Sequence, residues 1–112
     1  MKCVAFIPAR LESKRFPNKI LKNIYNIPMV EHVRRRALIS KAFENVYVVT
    51  NSLKIKTKLR KYNANIISTK KRHLNGTSRI AEISNRIQFD YAVILFGDEP
   101  FINPNHLKLI VK

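Results

Sequence analysis

Four short apolar runs, at residues 3–7, 45–50, 64–68 and 91–96, alternate with stretches whose apolar positions recur at helical spacing. This alternation constrains the fold more than any other feature. Consecutive strands separated by a helix-length crossover pair in parallel, and a parallel sheet must be covered on both faces. The run at 45–50, Asn-Val-Tyr-Val-Val-Thr, is apolar on both faces, as a central parallel strand requires, and the run at 91–96 is the most hydrophobic. Met29, Val30, Val33, Ala37 and Leu38 predict a helix through Ser40, with Pro28 at its first position. Ile55, Leu59 and Tyr62 predict a second helix to about Tyr62, capped by Asn51 or Ser52. Ile80, Ile83 and Ile87 predict a third, after Gly76. Leu107, Ile110 and Val111 predict a fourth, capped by Asn103 ahead of Pro104. Residues 20–27 read as an irregular connector that turns at Asn23 and Asn26. The expected architecture is α/β, with one domain over residues 1–112.

Charge narrows the partners. Lys and Arg number 22 against 7 Asp and Glu, a formal charge of +15. Such a balance suits a polyanion: nucleic acid, a membrane surface or a nucleotide. Lys54, Lys56, Lys58, Arg60 and Lys61 fit the solvated face of the second helix, and Arg34, Arg35 and Arg36 fit solvated positions on the first. Cys3 is the only cysteine, so no internal disulfide forms, and its place in the first apolar run makes it a core residue. No apolar run approaches the roughly 20 residues of a membrane span. No signal peptide is expected, and the predicted location is cytoplasmic.

Two segments carry candidate chemistry. The first strand breaks at Pro8 into a loop holding Arg10, Ser13, Lys14 and Arg15, followed by Lys19. Arginine offers planar bidentate donors and lysine a mobile point charge, so Arg10, Arg15 and Lys19 suit a polyphosphate. The last strand ends in Gly97-Asp98-Glu99-Pro100. An acid just past a buried strand points toward the crevice at the carboxyl ends of the strands, where open α/β sheets bind ligands. Asp98 could supply the carboxylate that Mg²⁺ takes together with phosphate oxygens. His73, Gly76 and Thr77 precede a helix start, which suits an anion or a base edge. His32 and His106 read as structural. The Gly-x-x-x-x-Gly-Lys and Gly-x-Gly-x-x-Gly patterns are absent.

These residues resemble a known family. Ile7-Pro8-Ala9-Arg10-x-x-Ser13-x-Arg15-x-Pro17-x-Lys19 is similar to the N-terminal signature of sugar-acid cytidylyltransferases, and Ile27-Pro28-Met29-Val30-x-His32-Val33 to the stretch that follows it. His73-x-Asn75-Gly76-Thr77-x-Arg79-Ile80-Ala81-Glu82 and Gly97-Asp98-Glu99-Pro100 resemble the 3-deoxy-manno-octulosonate (KDO) branch, the CMP-KDO synthetases, more than the sialic acid branch. The resemblance implies a Rossmann-like nucleotidyltransferase fold: three-layer α/β/α, with a mostly parallel sheet truncated after the fourth strand and helix. It also implies transfer of CMP from CTP to the anomeric hydroxyl of KDO for lipopolysaccharide synthesis, with Mg²⁺ as cofactor and pyrophosphate released. By motif position, Ala9, Arg10, Ser13, Arg15 and Lys19 would hold the triphosphate. His73, Gly76 and Thr77 would lie by the cytosine and ribose, and Asp98 would bind the metal. Arg10, Lys19 and Asp98 are the implied catalytic set. Asn18 stands where the family usually has Gly, Ile20 where it has Pro, Leu74 for a Gln and Ser78 for a Glu.

Family members are more than twice as long as these 112 residues. The resemblance therefore covers the nucleotide-binding half. The sugar-acid pocket, the homodimer interface and a second metal-binding Asp belong to the other half, and weak or absent turnover is expected of this chain alone. Two further readings stand beside this one: a cytidylyltransferase for another sugar acid, such as a sialic acid, and a small basic nucleic-acid-binding module motivated by the charge. The leading reading expects no specific nucleic acid and no membrane partner.

Overall fold

The computed structural model describes residues 2–10, 19–69 and 87–97. Strands β1 (Cys3–Pro8), β4 (Asn45–Thr50), β5 (Asn65–Ser68) and β6 (Tyr91–Ile94) form one sheet in the order β5-β4-β1-β6, with every pairing parallel. Helix α1 (Met29–Ser40) carries the chain from β1 to β4, and α2 (Leu53–Arg60) carries it from β4 to β5. Two crossovers stepping the same way, each right-handed, put both helices on one face. Their stripes, Val30, Val33 and Ala37 of α1 and Ile55 and Leu59 of α2, pack on Ala5, Ile7, Val46 and Val48. The pleat sends Val4, Phe6 and Val49 to the opposite face, where they are buried among Tyr47, Ile67, Ile87, Phe89 and Ile94. Both faces of the sheet are thus covered. The helices expected after Gly76 and after Asn103 lie outside the described residues.

The sequence pattern located β4 to the residue and β1 to within one. It failed at three places. Residues 20–27 are ordered: a single 3-10 turn (Lys19–Leu21) leads into a tight hairpin of β2 (Asn23–Ile24) and β3 (Ile27–Pro28). Asn26 is in its turn, as expected, whereas Asn23 pairs with Pro28 as a strand residue. Both turn residues have positive φ, Tyr25 at 52° and Asn26 at 66°, as a two-residue hairpin that follows the strand twist requires. Asparagine tolerates that conformation at lower cost than tyrosine. Tyr25 is 87% exposed, so its ring gains little packing in return. Tyr25→Asn should raise the unfolding free energy by about 1 kcal/mol; an unchanged or lower melting temperature would refute the strain. His32, expected to be structural, donates from Nε2 to the Ile24 carbonyl at 2.6 Å and ties this hairpin to α1.

Second, Arg34 is not solvated. It is 9% exposed and forms a two-point pair with Glu31, Nε to Oε1 at 2.6 Å and Nη2 to Oε2 at 3.0 Å. Nη2 also donates to the Tyr62 carbonyl at 3.0 Å. Arg35 donates to Glu31 Oε2 at 2.9 Å, and its guanidinium lies 5.2 Å from the Tyr62 ring centroid. Glu31 is fully buried and gathers both arginines, so the cluster pins α1 to the end of α2. Leu38, expected in the apolar stripe, is exposed instead.

Third, the last apolar run is strand only to Ile94, and Tyr91 and Phe96 are about half exposed. Among the described residues β6 lies at one edge of the sheet, where a strand is covered less fully than at the centre.

Two smaller expectations held, the cap of α2 and the burial of Cys3. Ser52 caps α2, its Oγ accepting from the Ile55 N–H at 3.2 Å. Cys3 is buried and free, and burial pushes its thiol pKa up. At the β5 edge, Lys56 and Arg60 line an open groove of about 500 Å³ with Asn63, Ala64, Ile66 and Ser68. No helix among the described residues is long and apolar enough to cross a membrane.

Candidate active site at the strand-order reversal

From β1 the chain steps outward to β4 and β5, then returns to pair β6 with the other side of β1. The order reverses between β1 and β6, a topology that leaves a crevice at the carboxyl ends of the two strands. Open α/β sheets bind ligands in such a crevice, because adjacent connections depart to opposite sides there. Both segments with candidate chemistry leave the sheet at this point.

On the β1 side, Ala9 is buried, and its N–H donates to the Val49 carbonyl at 2.9 Å, extending the sheet one residue past the strand. Arg10 follows and is exposed. The chain is next described at Lys19, which opens the 3-10 turn. On the β6 side, the Leu95 N–H donates to the Phe6 carbonyl at 2.9 Å and carries the pairing one residue beyond Ile94. Gly97 then turns the chain immediately before Asp98.

The two sides touch. A Cβ at position 97 would lie 3.2 Å from Ile20 Cδ1 and 3.4 Å from Val30 Cγ2. The exit of the cationic loop, the first turn of α1 and the turn before Asp98 therefore meet at one point. Ala9, Arg10 and the Lys19 backbone are gathered on this end of the sheet. Ser13, Arg15, His73, Gly76, Thr77 and Asp98 lie outside the described residues. Sequence reasoning passed over Ile20 and Gly97 as contact residues, because nothing in their spacing reports strand order. Glu31 was also passed over, although its arginines at i+3 and i+4 are a legible helical signal.

Arg34 and Arg35 are committed to Glu31 and do not form a free basic patch. Among the described residues no group of three or more His, Cys, Asp or Glu side chains could hold a metal.

The sequence pattern of the family described as "Cytidylyltransferase" matches residues 4–112. A relative named 3-deoxy-manno-octulosonate cytidylyltransferase, from Christiangramia forsetii, is 38% identical over 109 residues, covering 97% of this chain and 44% of the relative. A solved structure of CMP:2-keto-3-deoxy-manno-octonic acid synthetase complexed with CTP superposes with a TM-score of 0.94 at 33% identity, covering 99% of this chain and 46% of that one. A cytidylyltransferase from Leptospira borgpetersenii superposes with a TM-score of 0.83 at 28% identity, over 99% of this chain and 48% of its own. The chain spans a little under half the length of these proteins. Pattern, sheet order and superposition agree that this chain belongs to the cytidylyltransferase family.

Proposed function

We propose that this chain is the CTP-binding half of an enzyme that transfers CMP from CTP to KDO. The observation that carries the proposal is the reversal of strand order, which brings the exit of the cationic loop against the turn that precedes Asp98. The names of the relatives and the CTP bound in the superposed synthetase support the choice of substrates.

In this reading Arg10, Ser13, Arg15 and Lys19, with the backbone at Ala9, hold the triphosphate. Their charge offsets that of the departing pyrophosphate. His73, Gly76 and Thr77 lie by the base and ribose. The anomeric hydroxyl oxygen of KDO bonds to the α-phosphorus as the bond from that phosphorus to the β-phosphate bridging oxygen breaks. The hydroxyl proton leaves to solvent or a base. Asp98 suits Mg²⁺ because it offers a hard carboxylate oxygen next to phosphate oxygens, the donor set this ion prefers. The ion would neutralise phosphate charge. The remaining length of the family supplies the sugar-acid pocket and a homodimer contact, and a CTP-consuming reaction fits a cytoplasmic location.

Calorimetric titration of the purified chain with CTP and Mg²⁺, with UTP and ATP as controls, tests the site. Saturable binding selective for CTP is expected, and Asp98→Ala should weaken it at least about tenfold, roughly 1.4 kcal/mol. A folded chain that ignores CTP would remove the proposal.

A further inference from the structure

We infer that Ile20 is a positioning residue that sets the spacing between the cationic loop and the Asp98 turn, using the bare α-carbon of Gly97 as its seat. The inference rests on the CTP-site reading above and adds a residue to which that reading assigns no role.

Gly97 is buried, and it is not among the positive-φ positions. Its lack of a side chain is therefore a matter of room and not of backbone conformation. What occupies the room is specific. The nearest atoms to a Cβ there would be Ile20 Cδ1 at 3.2 Å, Val30 Cγ2 at 3.4 Å and Ile20 Cγ1 at 3.5 Å. Two of the three belong to one side chain, and its tip makes the closest approach.

Ile20 packs on the main core beside Leu21, so its side chain is held from below as well as from the Gly97 side. Its backbone is the middle of the 3-10 turn that Lys19 opens. The turn is in turn tied to the helix, since the Met29 N–H donates to the Lys22 carbonyl at 2.8 Å. The Ile20 side chain thus spans from the residue after Lys19 to the residue before Asp98. Both neighbours are candidates for contacting the triphosphate and its metal. A phosphate gripped from two sides responds to sub-ångström errors in their separation, and a misplacement of about 1 Å at a reacting centre can cost roughly 100-fold.

The test pairs room with fill. Gly97→Ala adds a carbon 3.2 Å from Ile20 Cδ1, so the Ile20 side chain must give by a few tenths of an ångström, and because that side chain also packs on the core the displacement passes to the turn that carries it. CTP affinity in Mg²⁺, read by calorimetry, should fall about three- to tenfold while the chain stays folded. Ile20→Val removes the Cδ1 methyl that makes the 3.2 Å approach. The double variant Gly97→Ala with Ile20→Val should recover affinity to within about twofold of the parent. A merely structural contact would move the melting temperature without this loss and rescue of affinity, so both are measured on every variant. If the parent binds CTP and Gly97→Ala binds it equally well, or if Ile20→Val fails to rescue, the positioning role is wrong and the site reading stands. If the parent binds no CTP, the site reading fails and the inference fails with it.

Discussion

Replacing Arg34 by Met should lower the unfolding free energy by about 3 kcal/mol, a large share of what a domain this size has. Methionine keeps the apolar stem and removes only the guanidinium. Among the described residues Glu31 then loses two of its three charged hydrogen bonds while remaining fully buried, with Arg35 as its remaining partner. A carboxylate on so short a stem cannot reach water, whereas a long basic side chain can extend to do so. Removing Glu31 should therefore be the milder change, since Arg35 is already partly solvated and Arg34 keeps its hydrogen bond to the Tyr62 carbonyl on a stem long enough to extend toward water. The double variant Glu31→Leu with Arg34→Met should recover most of the loss, because an apolar pair of similar volume carries no charge to desolvate. Urea midpoints for the three variants check this order. Equal midpoints for Arg34→Met and the parent would show that Glu31 does not depend on its partner.

Phe6→Ala should cost about 4 kcal/mol. Phe6 is fully buried at the middle of β1, on the face opposite the two helices. Its ring stacks on Tyr47 with centroids 5.8 Å apart and meets Phe89 edge-on at 5.5 Å. One side chain therefore joins β1 to its neighbour β4 and to the segment leading into β6. Truncation removes both ring contacts and leaves a cavity where no single neighbour can follow. Phe6→Leu retains most of the volume and should cost far less. If denaturant unfolding finds the two variants equally stable, filled volume at this position does not set the cost and the cavity account is wrong.

What the sequence disclosed follows from the strength of each local pattern. The run at 45–50 is apolar on both faces and bounded by turn residues, so β4 could be read directly. Ile55 and Leu59 marked the buried side of α2, but Tyr62, partly buried just beyond the helix, extended the apparent period past Arg60. The hairpin at Asn23–Ile24 and Ile27–Pro28 was invisible because two-residue strands have no period, and its turn uses Tyr25 where glycine or asparagine would announce it. Arg34 looked solvated because a triplet of arginines reads as surface until a buried acid one turn earlier is counted as its partner. For the site, the order of the motifs along the chain was legible. The contact between Ile20 and Gly97 was not, because it depends on which strand lies beside β1, and no pattern within either segment encodes that.

The groove along β5 has a consequence for how copies of this molecule meet. A strand at the margin of a sheet offers backbone groups that can pair with the same strand of a neighbour. Here Lys56 and Arg60 stand beside β5, an edge of the sheet among the described residues. Two copies approaching strand to strand would bring four cations together before any backbone hydrogen bond formed. The repulsion is a matter of ionic atmosphere and not of shape: it acts over roughly 10 Å in dilute buffer and shortens to about 3 Å in molar salt. Lys56 and Arg60 thus act to keep the sheets of neighbouring molecules apart.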